Sequence, residues 1–210
     1  MKVAFYTLGC KTNQFETQAL ERMFASRGHT IVDFRDRADV YVVNTCTVTA
    51  LGDKKSRMAA RRAKKLAPDS TLIVCGCYAQ VNPAEVRELC GADIVVGTSG
   101  KGRIVELAEK AQSGLACRAD VEPALSPKPF ELLPAGGLLG RTRALLKVQD
   151  GCQSFCAYCL IPFARGPSRS IPLDDALREC TRLESEGYRE IVVTGIEISS
   201  YGPDLPQPCS

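Results

Sequence analysis

Four short apolar runs separated by stretches of helical spacing govern the first half of the chain, and few folds accommodate that alternation. Val3–Leu8, Asp39–Asn44, Leu72–Cys75 and Ile94–Val96 are rich in Val, Ile and Tyr, the look of strands covered on both faces. Between them, Phe15, Ala19, Leu20, Met23 and Phe24 form one apolar stripe at helical spacing. Asn13 and Glu16 are placed as a capping pair at its start, and Gly28 stops it. Asn82–Pro83 starts another helix that Gly91 ends, and Lys101–Gln112 repeats the pattern before Gly114. The fold class that follows is α/β: a β-α-β-α-β-α-β-α order, which is a parallel sheet flanked by helices.

The pattern stops at about Ser113. From there to Arg143, Pro123, Pro127, Pro129, Pro134 and Gly136–Gly137 mark a connector with room for a hairpin. The expected domains are residues 1–113, a linker at 114–137, and a second unit at 138–210. In that unit Ala144–Val148 reads as a strand running into a cysteine-rich loop. Asp174–Glu186 reads as a helix with Ala176, Leu177, Cys180 and Leu183 inward, and Glu190–Thr194 as the next strand. Strand, loop, helix, strand is the start of a partial β/α barrel, whose chemistry sits on the loops at the C-terminal ends of its strands. One and a half such units cannot close a barrel, so the sequence is expected to be C-terminally truncated.

Eleven cysteines in 210 residues need a cause. The start MKVAFYTLGC lacks the form of an export signal and no run of about 18 apolar residues occurs, so a cytoplasmic protein without a membrane segment is expected. A reducing compartment keeps thiols free, which turns attention from disulfides to metal or cluster ligation. The net charge of +3 permits a nucleic-acid partner without requiring one.

The segment GCQSFCAYC places Cys152, Cys156 and Cys159 on one loop with C-x3-C-x2-C spacing. Three thiolates hold three irons of a cubane and leave the fourth open, whereas four cysteines would close every iron and leave only electron transfer. A zinc site is the plainer alternative, but it wants a fourth Cys or His nearby, and the single histidine, His29, is far away in sequence. Cys10, Cys46 and Cys77 each lie just past a separate strand, and parallel strands bring those ends to one edge. On the residues alone, core packing of small apolar thiols accounts for this second set equally well. Cys75 belongs to a strand, Cys90 and Cys180 to apolar helix faces, Cys117 to the connector and Cys209 to the tail, where packing or chance suffices.

Two further features carry charge or backbone freedom. Lys54, Lys55, Arg57, Arg61, Arg62, Lys64 and Lys65 load one helix whose apolar side is Met58, Ala59, Ala63 and Leu66. RNA phosphates and plain solvent suit that face equally. Arg165 and Arg169 directly follow the cysteine loop and are candidates for RNA contact. Thr194–Gly195 ends a strand where bare backbone can approach a cofactor.

LGCKTNQFET, VVNTCTVT, GCYAQ and GCQSFCAYCLIPFARGPSRS together resemble the methylthiotransferase family of radical S-adenosylmethionine enzymes, across nearly the whole chain. The resemblance implies two [4Fe-4S] clusters: an auxiliary one on Cys10, Cys46 and Cys77 that supplies sulfur, and one on Cys152, Cys156 and Cys159 that binds and cleaves S-adenosylmethionine. It also implies that Tyr158 lies beside the adenine and that Thr194 and Gly195 contact the methionine part. An electron donor such as flavodoxin or ferredoxin is implied as well. Within the family, PFARGPSRS and the opening motif look most like the bacterial branch that methylthiolates C2 of N6-threonylcarbamoyladenosine at position 37 of tRNA. Branches acting on isopentenyladenosine-37 of tRNA or on a ribosomal-protein aspartate are the alternatives inside the family, and an inert iron–sulfur-binding fragment is the alternative outside it.

Overall fold

The structure is a computed structural model that describes residues 1–115, 121–137 and 142–206. Cys117 and Cys209 lie outside the described residues. The N-terminal half runs β1 (Lys2–Thr7), α1 (Lys11–Ser26), β2 (Thr30–Val32), β3 (Val40–Thr45), α2 (Ala50–Leu66), β4 (Thr71–Gly76), α3 (Cys77–Val81), α4 (Pro83–Cys90), β5 (Ile94–Val96) and α5 (Ile104–Gln112). Its five strands pair in parallel in the order β2-β1-β3-β4-β5. β3 and β4 are buried along their whole length, which is why their sequences are continuously apolar.

Helices cover both faces. Leu20 and Phe24 of α1 and Ile104, Val105 and Ala108 of α5 pack on one side of the sheet. Ala59, Ala60 and Ala63 of α2 and Val86 and Cys90 of α4 pack on the other. The sequence pattern missed β2, which has only three residues between the turn at Gly28 and Asp33 and so too little length to show a period.

The second unit consists of β6 (Arg143–Lys147), β7 (Gln149–Asp150), α6 (Ile161–Arg165), β8 (Arg169–Ser170), α7 (Leu173–Ser185) and β9 (Glu190–Thr194). β6 and β9 pair in parallel, and β7 pairs with β8 in the antiparallel sense. No hairpin is found among the described connector residues, because they pack as irregular chain: Leu133 and Ala135 are buried against Leu145, Leu146 and Leu183. Helix α1 joins the halves. Leu20 and Phe24 cover the large sheet, while Phe15 and Ala19, about a quarter turn or more around the same helix, pack with Leu146 and Leu183.

Three local expectations change. Asn13 and Glu16 do not cap α1: its N-cap is Cys10, which makes no side-chain capping bond, and both polar residues are buried. Met58 and Leu177 are exposed, since the buried lines run through Ala59 and Ala63 on α2 and through Ala176 and Leu183 on α7, each one residue, or about 100°, away.

The cysteine loop is seated by backbone stacking. Gly151, at φ +79°, lies so close to the turn after α6 that a Cβ there would be 2.0 Å from the Pro167 carbonyl oxygen. A Cβ on Gly166 would be 2.0 Å from the Ala124 carbonyl oxygen. Gly151→Ala is therefore expected to cost about 2 kcal/mol or more in urea unfolding, through left-handed backbone and the forced displacement of the loop.

Candidate functional site

Because β1 lies between β2 and β3, and α1 and α2 cover opposite faces, a crevice opens at the C-terminal ends of β1 and β3. Cys10 follows β1, Cys46 follows β3 and Cys77 follows β4. Glycines bring these loops together. A Cβ on Gly9, at φ +105°, would lie 2.9 Å from Cys46 Cβ and 3.2 Å from its Sγ. A Cβ on Gly76, at φ +96°, would lie 2.6 Å from both Asn44 Oδ1 and the Thr45 carbonyl oxygen. Asn13 fastens the same loops by donating from Nδ2 to the carbonyl oxygens of Leu8 (2.7 Å) and Thr45 (2.9 Å).

The three cysteines line one cavity of about 380 Å³, whose other wall comes from the second unit: Ile161, Arg165, Thr194, Gly195 and Ile196. Buried Gln149 builds that wall. Its Nε2 donates to the Gly151 carbonyl oxygen (2.7 Å) and Ser168 Oγ (2.9 Å), and its Oε1 accepts from the backbone N–H of Ile196 (2.9 Å) and Glu197 (2.8 Å). The amide thus ties the start of the cysteine loop to the loop after β9. A Cβ on Gly195 would lie 2.9 Å from Gln149 Oε1, so the wall admits no side chain at that position without a shift.

Cys152, Cys156 and Cys159 are free thiols, Cys156 exposed and the others half-buried. The Cys159 N–H donates to the Cys156 carbonyl oxygen at 2.8 Å, and Phe155 between the first two cysteines is held at φ +44°. A bulky residue in the left-handed region is strained, and such strain gathers at functional turns. Tyr158 is 94% exposed, while Thr194 is buried with its carbonyl oxygen accepting from the Val148 N–H.

Among the described residues, no three Cys, His, Asp or Glu side chains are gathered closely enough to hold a single metal ion. A cubane spreads its thiolates over separate corners and asks for wider spacing. The cavity fits such a group in two respects. Thr12 Oγ1 in its lining is buried without a hydrogen-bond partner among the described residues. Arg165, which lines it, also belongs to a buried cluster with more cations than carboxylates, suited to an anionic thiolate cluster.

That charge is the main feature absent from the sequence reading. Glu16, Lys101, Lys147, Asp150, Arg165 and Arg169 are all buried and meet where the two halves join. Arg165 Nη1 lies 2.9 Å from both Glu16 Oε1 and Asp150 Oδ1, and its Nη2 donates to Asn13 Oδ1 at 2.6 Å. Lys101 Nζ is 3.1 Å from Glu16 Oε2, Lys147 Nζ is 3.0 Å from Asp150 Oδ2, and Arg169 Nη2 is 3.4 Å from Asp150 Oδ2. Burial alone would push the Glu16 carboxyl up, but Arg165, Lys101 and Lys147 more than reverse it, down to about 2. Asp150 is likewise held well below the usual carboxylate range: burial opposes this, and Arg165, Lys147 and Arg169 overcome it. Burial pushes the Cys77 thiol up, and the nearby Arg165 guanidinium opposes it.

Arg165 and Arg169 are therefore not free to contact RNA. Arg165 is 1% exposed, and both guanidinium groups are committed to carboxylates or backbone. The available signal was Glu16, which lies four residues before Leu20 on the buried side of its helix, and Lys147 in the apolar strand ALLKVQD.

Arg165→Met leaves two buried carboxylates short of a partner and is expected to cost about 3–5 kcal/mol in urea unfolding at neutral pH. The pH dependence has a definite sign. Glu16 is lowered from 4.5 to about 2, so its stabilisation is complete above about 4.5 and disappears as pH falls toward 2. Unfolding free energy measured across that window should decline in the parent chain, with a shallower decline in Glu16→Gln.

Residues 2–97 match the uncharacterized protein family UPF0004. The threonylcarbamoyladenosine tRNA methylthiotransferase MtaB of Bacillus subtilis is 43% identical over 203 residues, 97% of this chain and 45% of that protein. MtaB of Aquifex aeolicus is 41% identical over 97% of this chain and 50% of that protein. The ribosomal protein uS12 methylthiotransferase RimO of Roseiflexus castenholzii is 32% identical over 98% and 48%. The chain thus spans about half the length of these curated relatives. Among solved structures, the radical S-adenosylmethionine methyltransferase TsrM of Kitasatospora setae, with tryptophan and a cofactor analogue bound, shares the fold at a TM-score of 0.60 and 16% identity, over 95% of this chain and 48% of that one. Two cysteine sets on this fold thus accompany similarity to methylthiotransferases along nearly the whole sequence.

Proposed function

We propose that the chain carries the two cluster sites of an enzyme that methylthiolates C2 of N6-threonylcarbamoyladenosine at position 37 of tRNA. The observation that carries this reading is the cavity shared by Cys10, Cys46 and Cys77 with Thr194, Gly195 and Ile196. Sulfur chemistry and cofactor chemistry have to meet at one target carbon, and this space has residues of both halves on its walls. The B. subtilis and A. aeolicus relatives, named for this tRNA nucleoside, support the choice of substrate.

Cys10, Cys46 and Cys77 would hold the auxiliary cluster, and Cys152, Cys156 and Cys159 the cluster that takes S-adenosylmethionine. When bound, these groups supply reductive cleavage of the sulfonium and the sulfur and methyl that are transferred. The protein supplies placement. Gln149 fixes the loop after β9 against the cysteine loop, so the backbone at Thr194–Gly195 can meet the methionine end of the cofactor. Tyr158, exposed beside Cys159, would present its ring to the adenine of the bound cofactor. Arg165, Lys101 and Lys147 keep positive charge behind the auxiliary thiolates and fix the distance between the two halves. The electron donor in this reading is a flavodoxin or ferredoxin.

Anaerobic reconstitution of the chain should load about eight irons, the content of two cubanes. With dithionite, S-adenosylmethionine and tRNA bearing the threonylcarbamoyl nucleoside, 5′-deoxyadenosine and a methylthiolated nucleoside should appear in the mass spectrum. The triple variant Cys152→Ala, Cys156→Ala, Cys159→Ala should lose cofactor cleavage and keep about half of the iron. Loss of all iron in that variant would refute two separate sites. Iron binding without cofactor cleavage in the parent chain would establish an inert fragment instead.

A further inference from the structure

The seven cations of α2 are not spread around the helix. Its buried side is Ser56, Ala59, Ala60 and Ala63, and Leu51, Lys54, Lys55, Met58, Arg61, Arg62 and Lys65 occupy the exposed opposite third of the circumference. Three of the seven are engaged within the fold: Arg57 by Tyr78 and Glu85, Arg61 by the Leu89 carbonyl oxygen, and Lys64 by Asp93 and the Ser70 carbonyl oxygen. Among the described residues, Lys54, Lys55, Arg62 and Lys65 have no ion pair or hydrogen bond. Asp53 is the only acid on the helix.

The helix thus carries a surplus of six positive charges, against +3 for the entire chain, and the remainder of the molecule is net negative. Like charges at i,i+3 and i,i+4 destabilise a helix by a few tenths of a kcal/mol per pair. Among the described residues, carboxylates relieve that repulsion only at Arg57, paired with Glu85, and at Lys64, paired with Asp93.

Position adds a second argument. α2 begins four residues after Cys46, and exposed Val48 lies both on that connection and in the lining of the auxiliary cavity. The exposed face of α2 therefore starts close to the cavity mouth, and its cations, from Lys54 to Lys65, span about 17 Å along the surface. Phosphates along one strand of a nucleic-acid stem match that length and sign. We propose that the exposed stripe of α2 is the docking surface for the phosphate backbone of the substrate tRNA, holding a stem beside the cavity while Val48 and Leu51 form the apolar rim that the target nucleoside crosses. This rests on the tRNA reading above and assigns it a surface.

The test is fluorescence anisotropy of a labelled anticodon stem-loop RNA with the reconstituted chain, measured across a series of salt concentrations. The variant Lys54→Gln, Lys55→Gln, Arg62→Gln, Lys65→Gln keeps helix propensity and is checked for fold by circular dichroism and for iron content. Its slope of log affinity against log salt should fall by about 3, and its affinity at low salt by tenfold or more, if four phosphate contacts are removed. Arg178→Gln, Arg189→Gln, on α7 and in the turn before β9 of the second unit, should leave the slope nearly unchanged.

An unchanged slope in the α2 variant, or an equal loss per charge in the Arg178/Arg189 control, would overturn the docking surface while tRNA methylthiolation stands on its own assay. Absence of salt-sensitive RNA binding in the parent chain would overturn it too, and a methylthiolated nucleoside in the mass spectrum would still decide the substrate separately. Displacement by poly-glutamate as effective as by RNA of equal charge would replace the nucleic acid with an acidic protein partner.

Discussion

Glu16 and Asp150 sit out of water between two halves of the molecule, surrounded by Lys101, Lys147, Arg165 and Arg169. Desolvating so many charges costs several kcal/mol per ion, and only close, multiply bonded geometry offsets it. The cost is met only when both halves are docked, since Glu16 comes from α1, Lys101 from the turn before α5, and the other four from the second unit. Separation of the halves would leave Glu16 and Arg165 to find water independently. The cluster therefore acts less as an added attraction than as a constraint that makes one relative placement preferable to near alternatives.

The proposed chemistry depends on that placement. Arg165 touches Asn13, which binds the loops that carry Cys10 and Cys46, and it touches Asp150, whose Oδ1 accepts from the Gly151 N–H immediately before Cys152. A single guanidinium therefore lies one residue away, in hydrogen-bonding terms, from both cysteine sets. Gln149 repeats the device between the cysteine loop and the loop after β9. The apolar contact of Phe15 and Ala19 with Leu146 and Leu183 provides bulk burial at the same interface. Non-directional burial brings the halves together, and the directional ion pairs fix how they meet.

Much of this was legible in the chain. Continuous apolar runs announce strands covered on both sides, and β1, β3, β4 and β5 fall where those runs lie. Cysteines just past strand ends follow from parallel topology, and the structure brings Cys10, Cys46 and Cys77 into one cavity. What stayed hidden has physical reasons. β2 is too short to have a period. Asn13 and Glu16 carry the spacing of a capping pair, and only the approach of Arg165, 149 residues from Glu16, turns them inward. Arg165 and Arg169 look like surface cations because a partner so distant in sequence leaves no local mark.

The sequence by itself determined the alternation of strands and helices, the two cysteine sets and the resemblance to methylthiotransferases, because these rest on local periodicity and on motifs within a few residues. Only the tertiary structure decided that the charged residues near the cysteine loop form a buried clasp and that Lys54, Lys55, Arg62 and Lys65 of α2 stay unpaired among the described residues. Burial and charge pairing are properties of residues distant in the chain, and the energy of each ion depends on which neighbours folding brings beside it.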